Sequence, residues 1–219
     1  MSLNHSPKIV TDGLVLCLDA GDPKSYNGSG TTWFDRSTTL NNGSLDGSPT
    51  FVNENGGVLN FASHGDAMYT SKTAAELGIT DNNVTLEIMF KKAISPAQSS
   101  QGFFGFHNFN FKNTSNFFVS SVTSTDTVSN RTITPNIEGA WVSLAATYDG
   151  VTLKVYHNGE YKAQSNFTMK TIQNDTLSIT GYGYYKPDAY YSTCRAYSRL
   201  LSDEELKENY NARKSRFKL

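Results

Sequence analysis

A chain of 219 residues is long enough to bury a self-sufficient core and sits at the upper end of what one all-β sandwich uses. Its formal charge is −1, with acids and bases scattered along the chain, so no field is available to hold a nucleic acid or to seat the protein on an acidic membrane. The longest apolar runs, such as Leu14–Leu18, are strand-sized and far short of the roughly 20 residues a membrane-crossing helix needs.

In chain order, Met1–Pro7 has neither the basic segment nor the apolar stretch of a secretion signal, and the chain is expected to stay in the cytosol where it is made. Strand signals follow almost to the end: apolar and polar residues alternate, broken by Gly, Asn, Asp and Ser clusters, which predicts antiparallel β structure. In Thr85–Lys91, Leu86, Ile88 and Phe90 point one way and Glu87, Met89 and Lys91 the other, giving a core face and a wetter face. Ser120 to Asn130 reads as a strand end and a loop. From Trp141 to Gln164, Val142, Leu144, Ala146 and Tyr148 lead to Asp149-Gly150, Leu153 and Val155 to Asn158-Gly159, and Tyr161 and Ala163 open a third strand. Both dipeptides supply the positive φ of two-residue hairpin turns, so the segment is a three-stranded meander.

One helix is predicted, over about 202–214. Ser202 and Glu205 form a capping box, Leu201 and Leu206 a hydrophobic staple, and acids open the helix while Lys207, Arg213 and Lys214 follow toward its end. Leu206, Tyr210 and Arg213 share a face, a narrow packing stripe. The basic tail 215–219 reads as a solvated end, with a docking peptide as the alternative. No linker or repeat divides the chain, which predicts a single domain over 1–219. Cys17 and Cys194 lie near its two ends; they are either bridged or two small buried thiols on adjacent strands, and a cytosolic origin favours the second.

Three segments resemble the laminin G-like, concanavalin A-like jelly-roll superfamily: Gly139–Gly150 running on through Leu153–Gly159, the closing Arg195–Glu205, and the opening Asp12–Gly21 with Gly28–Trp33 and Gly56–Phe61. The opening, together with the ending Asn209–Phe217, is similar to the version found in structural proteins of tailed bacteriophages. The resemblance implies an all-β, two-sheet antiparallel jelly-roll sandwich with one short C-terminal α-helix. That fold hosts lectins, glycosidases, adhesion modules and virion proteins, so function does not follow from it.

Glycosidases of this architecture need an acid and a nucleophile about 5 to 5.5 Å apart, and no strand carries closely spaced carboxylates: Glu87 stands alone in its strand, and Glu204 and Glu205 belong to the helix start. No catalytic residue is assigned. His5, His64, His107 and His157 lack metal spacing, and no zinc or other cofactor is expected. Calcium is the one ion the resemblance suggests, because several relatives hold it at a loop rim through Asp and backbone oxygens. Asp66 is the candidate ligand, yet phage-type relatives carry more than one acid there, so Asp66, like Asp19 and Asp22, reads as a solvated turn residue. Sugar binding would use ring faces beside amides in loops. Two segments fit: Gly181–Tyr191, with Tyr182, Tyr184 and Tyr185, and Phe106–Asn110, with His107 and Asn108. Trp33, in Gly28–Trp33, reads as a structural anchor.

These readings converge on a non-enzymatic bacteriophage surface protein, a capsid decoration or tail-fibre module. It would be made in the host cytoplasm and carried on the virion, contacting other virion proteins and host-surface carbohydrate, with homotrimer formation in view. The alternatives are a glycan-degrading depolymerase domain and a cellular carbohydrate-binding adhesion module.

Overall fold

A computed structural model of the chain describes residues 8–63, 65–94, 101–113, 116–126, 128–135, 138–179 and 188–219. Among the described residues sixteen strands run in order as β1 (Leu14–Asp19), β2 (Thr32–Trp33), β3 (Gly43–Asp46), β4 (Thr50–Val52), β5 (Val58–Phe61), β6 (Ala67–Thr73), β7 (Val84–Lys92) and β8 (Gln101–Phe106). They continue as β9 (Phe109–Asn113), β10 (Asn116–Val122), β11 (Val128–Pro135), β12 (Trp141–Tyr148), β13 (Thr152–His157), β14 (Glu160–Asn166), β15 (Thr176–Ile179) and β16 (Ala189–Tyr197). Helix α1 (Asp203–Lys214) and one 3-10 turn (Ser215–Phe217) close the chain.

The strands form two antiparallel sheets. The first is ordered β14-β13-β12-β7-β16-β5-β4, with β1 also on β16; the second is β11-β10-β9-β8-β15-β6-β3-β2. This is the jelly-roll sandwich the sequence predicts. The long β16 shares one edge between β5, opposite Ala189–Tyr191, and β1, opposite Thr193–Tyr197. Between the sheets lies one continuous core that takes in Leu86, Ile88 and Phe90, as the alternation in β7 requires, and the fully buried Trp33. Its centre is aromatic: the Phe90 and Phe103 centroids are 4.6 Å apart, and Phe117 stands edge-on to both. Each such ring contributes about 1.5–3 kcal/mol on burial. Among the described residues no helix is long and apolar enough to cross a membrane.

The meander forms as predicted. Asn158 and Gly159 both take positive φ, as a two-residue turn demands. The first turn differs: only Gly150 is positive, while Asp149 accepts from the amides of Val151 and Thr152, so its side chain closes a longer loop. Val128–Asn130 is not loop but the start of β11.

The larger correction concerns the outer face of the first sheet. Glu87 and Met89 were expected on a wetter face, yet they are 6% and 3% exposed. The reason is α1, which lies across that face and makes it a second interior. Register sets Cys17, Arg195, Glu87, Ala145, Tyr156 and Tyr161 side by side across six strands. Above this row Leu206 packs with Ala145, Tyr156 and Tyr197, and Asn209 donates to Glu87 Oε2 at 2.8 Å and to the Tyr197 hydroxyl at 3.0 Å. The capping box is complete, with Ser202 Oγ accepting from Glu205 N and Glu205 from Ser202 N.

Nor is the tail a solvated end. Phe217 is buried against Trp141, centroids 4.5 Å apart. Arg216 donates to Asp19 Oδ1 at 2.9 Å and to the carbonyls of Asn55 and Gly57. A methyl group at Gly21 would lie 2.2 Å from Arg216 Nη2, so the opening glycine-rich segment and the ending fit one another.

The thiols of Cys17 and Cys194 are free and buried. They stand on paired strands, but Cys194 lies opposite Leu18 and Cys17 opposite Arg195. Residues directly opposite share a face, so Cys194 joins the core and Cys17 faces α1, which keeps the sulfurs on different sides of the sheet.

Candidate functional site

The two sequence-predicted sugar-binding segments do not fall in one place. Tyr182, Tyr184 and Tyr185 lie outside the described residues, in 180–187. The strand ends that flank them are placed: Ile179 lies opposite Met68 near the start of β6, and Ala189 opposite Phe61 at the end of β5. His107 and Asn108 form the β8–β9 turn, which the pairing of Ser178 with Gly105 puts toward the other end of β15. There His107 is exposed. Asn108 is 8% exposed and turned inward, Nδ2 donating to the Thr171 carbonyl and its backbone N–H to Asp175 Oδ2. Burial raises the Asp175 carboxyl above its ordinary range, against the lowering effect of the Asn108 amide and His107. Asn108 therefore joins two loops, and His107 is the member of the pair that faces outward.

Asp66, Asp19 and Asp22 are each engaged by protein groups. Asp66 is buried, not solvated: Oδ1 accepts from Ser48 N at 2.8 Å and Oδ2 from Ser63 N at 2.9 Å. Asp19 sits between Arg213 and Arg216, and despite burial their charges hold its carboxyl below the usual range. Asp22 pairs with Arg36. Among the described residues no three His, Cys, Asp or Glu side chains cluster as a metal site would require. His157 is half-buried, and desolvation lowers its pKa, in keeping with a packing role.

A cleft of about 640 Å³ opens instead beside α1, between the Asn158–Gly159 turn and the helix, lined by Glu160, Tyr161, Asp203, Lys207, Glu208 and Asn211 among others. A second hollow of about 320 Å³ adjoins it through Asp203 and Glu204 and reaches Tyr156, Lys154 and Thr147. Two local features build the site. A bulge at Lys162 pairs Tyr156 with Tyr161 but Val155 with Ala163, so Ala163 faces the core while Tyr161 moves to the outer face. Tyr161 stands edge-on to Tyr156, centroids 6.0 Å apart, and remains 45% exposed. Gly159 then lets α1 approach: its φ is +72° and a methyl there would lie 2.9 Å from Tyr210 Cβ.

Polar groups surround the ring. Tyr156 donates to Asp203 Oδ1 at 2.8 Å, and burial, followed by that carboxylate, pushes the phenol well above its ordinary pKa, so it stays a donor. Lys207 is ion-paired with Glu160. An exposed ring beside an amide, fixed carboxylates and an ammonium suits the apolar C–H face and the hydroxyls of a sugar. Sequence reading missed this site because the bulge and the helix contact join residues more than 40 positions apart; Tyr161, one residue beyond Gly159-Glu160, was its one local trace.

The model of the concanavalin A-like lectin/glucanases superfamily matches residues 64–207. Among solved structures, the chain is similar to the receptor binding domain of botulinum neurotoxin C/D mosaic serotype, with 14% identity, 92% of this chain, 51% of that one and a TM-score of 0.73. It is also similar to the binding domain of botulinum neurotoxin DC in complex with SialylT, with 10% identity, 92% and 52% coverage and a TM-score of 0.71. A third is Trypanosoma rangeli sialidase in complex with the inhibitor DANA, with 14% identity, 92% and 33% coverage and a TM-score of 0.69. The chain thus spans about half the length of the toxin binding domains. At these identities the likeness is one of fold. No curated protein sequence matches the chain.

Proposed function

The chain belongs to the concanavalin A-like lectin/glucanases superfamily, and from that premise we propose that it is a non-enzymatic carbohydrate-contacting module carried on a bacteriophage surface, as a capsid decoration or a tail-fibre domain. The observation that carries the binding half is the Tyr161 ring, held exposed in the cleft with Asn211, Asp203 and the Glu160–Lys207 pair around it. The structurally similar domains, a receptor binding domain in one case and a binding domain in complex with SialylT in another, support a recognition role. The non-enzymatic reading draws on the engagement of the buried acids: Glu87 with Arg195 and Asn209, and Asp19 with two arginines.

The virion half draws on the segments similar to phage structural proteins. They meet in one place, where Arg216 of the ending clamps Asp19 of the opening and the carbonyl of Gly57. A glycan array, with and without calcium, tests binding: we expect a defined set of surface glycans to be retained, and no retention at high protein concentration overturns the reading. Release of reducing sugar from a retained glycan would overturn the non-enzymatic part. Cryo-electron microscopy of the source particle tests the location, and absence of the domain from mature virions would refute it.

A further inference from the structure

Beneath α1, three guanidinium nitrogens face no acceptor among the described residues. Arg195 is 3% exposed; its Nη1 donates to Glu87 at 3.2 Å, but Nε and Nη2 are buried without partners. Arg213 binds Asp19 through Nη1 at 2.5 Å, and its Nε is likewise buried and unpartnered. Both side chains line a narrow, partly open space of about 10 Å³ under the helix, whose other polar lining is Glu87, Ser143, Thr193, Asn209 and Tyr210. That is room for one small occupant.

The lining decides what kind. Arginine offers donors only, and the Ser143 and Thr193 hydroxyls can donate as well, so a cation finds no welcome beyond Glu87, whose Oε2 already receives Arg195 and Asn209. Three guanidiniums, Arg195, Arg213 and Arg216, stand against two carboxylates, Glu87 and Asp19, an excess of one positive charge around a buried Arg195, with Arg213 and Arg216 partly exposed at the rim. A water molecule would accept two of the N–H groups and leave that charge unbalanced; a monovalent anion answers both. We propose that this cavity is a buried halide site, in which one chloride ion bridges Arg195 and Arg213 and locks α1 onto the sheet.

Crystals grown with bromide in place of chloride test this directly. The expected result is an anomalous peak within hydrogen-bonding distance of Arg195 Nε and Arg213 Nε. A water in that position, or bromide on the surface alone, overturns the proposal. In solution, wild-type melting is compared in sodium chloride and in sodium gluconate, whose anion is too large to enter, at equal ionic strength. Chloride at about tenfold its dissociation constant is expected to raise the melting temperature by roughly 3–5 °C in a saturable way, and Arg213→Gln to abolish the difference between the two salts. Equal melting of the wild type in both salts refutes the site, whether or not the variant folds.

Discussion

Glu87 and Arg195 stand directly opposite one another on neighbouring strands, their charged atoms 3.2 Å apart and sealed from solvent by α1. Two charges taken out of water repay the cost only while both remain. Arg195→Met leaves Glu87 unpaired, and Glu87→Met leaves Arg195 so; each is expected to cost about 3–5 kcal/mol in urea unfolding. The double variant should lose far less than the sum, a coupling of at least about 2 kcal/mol. Additive losses would show that the pair does not hold this layer together.

Phe217 tests whether the tail is part of the fold. It is 6% exposed and packs on Trp141 and Met89. Phe217→Ala is expected to cost about 3 kcal/mol and to move Trp141 emission to the red, while Trp33, wholly buried in the main core, supplies an unchanged background. An unaltered spectrum and midpoint would return the tail to the solvent.

The strands, the meander and the helix cap are legible in the sequence because each is set by residues near one another: alternation along β7, Asn158-Gly159 at a turn, Ser202 with Glu205. The second interior is not. Glu87, Met89 and Arg195 have the composition of a wet face, and only the tertiary placement of Asn209, Arg213 and Phe217 above them dries it. The candidate cleft escapes for the same reason, with a bulge added: strict alternation puts Tyr161 with Ala163 toward the core, whereas the extra residue at Lys162 turns the ring outward. Asp66 shows the converse, a turn-like acid whose two oxygens tie the 48 and 63 loops.

The cysteine geometry has a chemical readout. Burial raises both thiols above their ordinary range, which suppresses the reactive thiolate. Intact mass should be unchanged by reductant, iodoacetamide should add nothing to the native protein, and denaturant should expose two alkylation sites. A loss of about 2 Da on air oxidation of the folded chain, the mass of the two hydrogens a bridge removes, would contradict the opposite-face placement.

Tyr161→Ala separates recognition from stability. Stacking on an aromatic face contributes about 1–1.5 kcal/mol, so affinity for any glycan retained by the wild type should fall about tenfold. Melting should shift by no more than about 2 °C, because the ring sits on an edge strand and is 45% exposed. His107→Ala, far from the cleft along the chain and on the other sheet, should leave binding intact. Loss of binding in His107→Ala but not in Tyr161→Ala would move the site to the β8–β9 turn.

Glu205 gives the fold a measurable acid limb. Arg199 donates to both of its oxygens, at 2.8 and 2.6 Å, and that pairing, aided by the Ser202 amide, holds its carboxyl down to about 2 from an ordinary 4.5. The folded state therefore prefers the ionised form. Its contribution is complete above the unfolded value and is lost as pH falls from 4.5 toward 2. Glu205→Gln keeps an acceptor for the Ser202 amide but removes the charge. Because the pair is partly solvated, at 28% and 30% side-chain exposure, the cost at pH 7 should be only about 0.5–1 kcal/mol, shrinking in 1 M salt. Urea midpoints of wild type and variant, measured from pH 7 to pH 2, should converge at the acid end; a constant gap across that range would mean the capping geometry, not the charge, carries the effect.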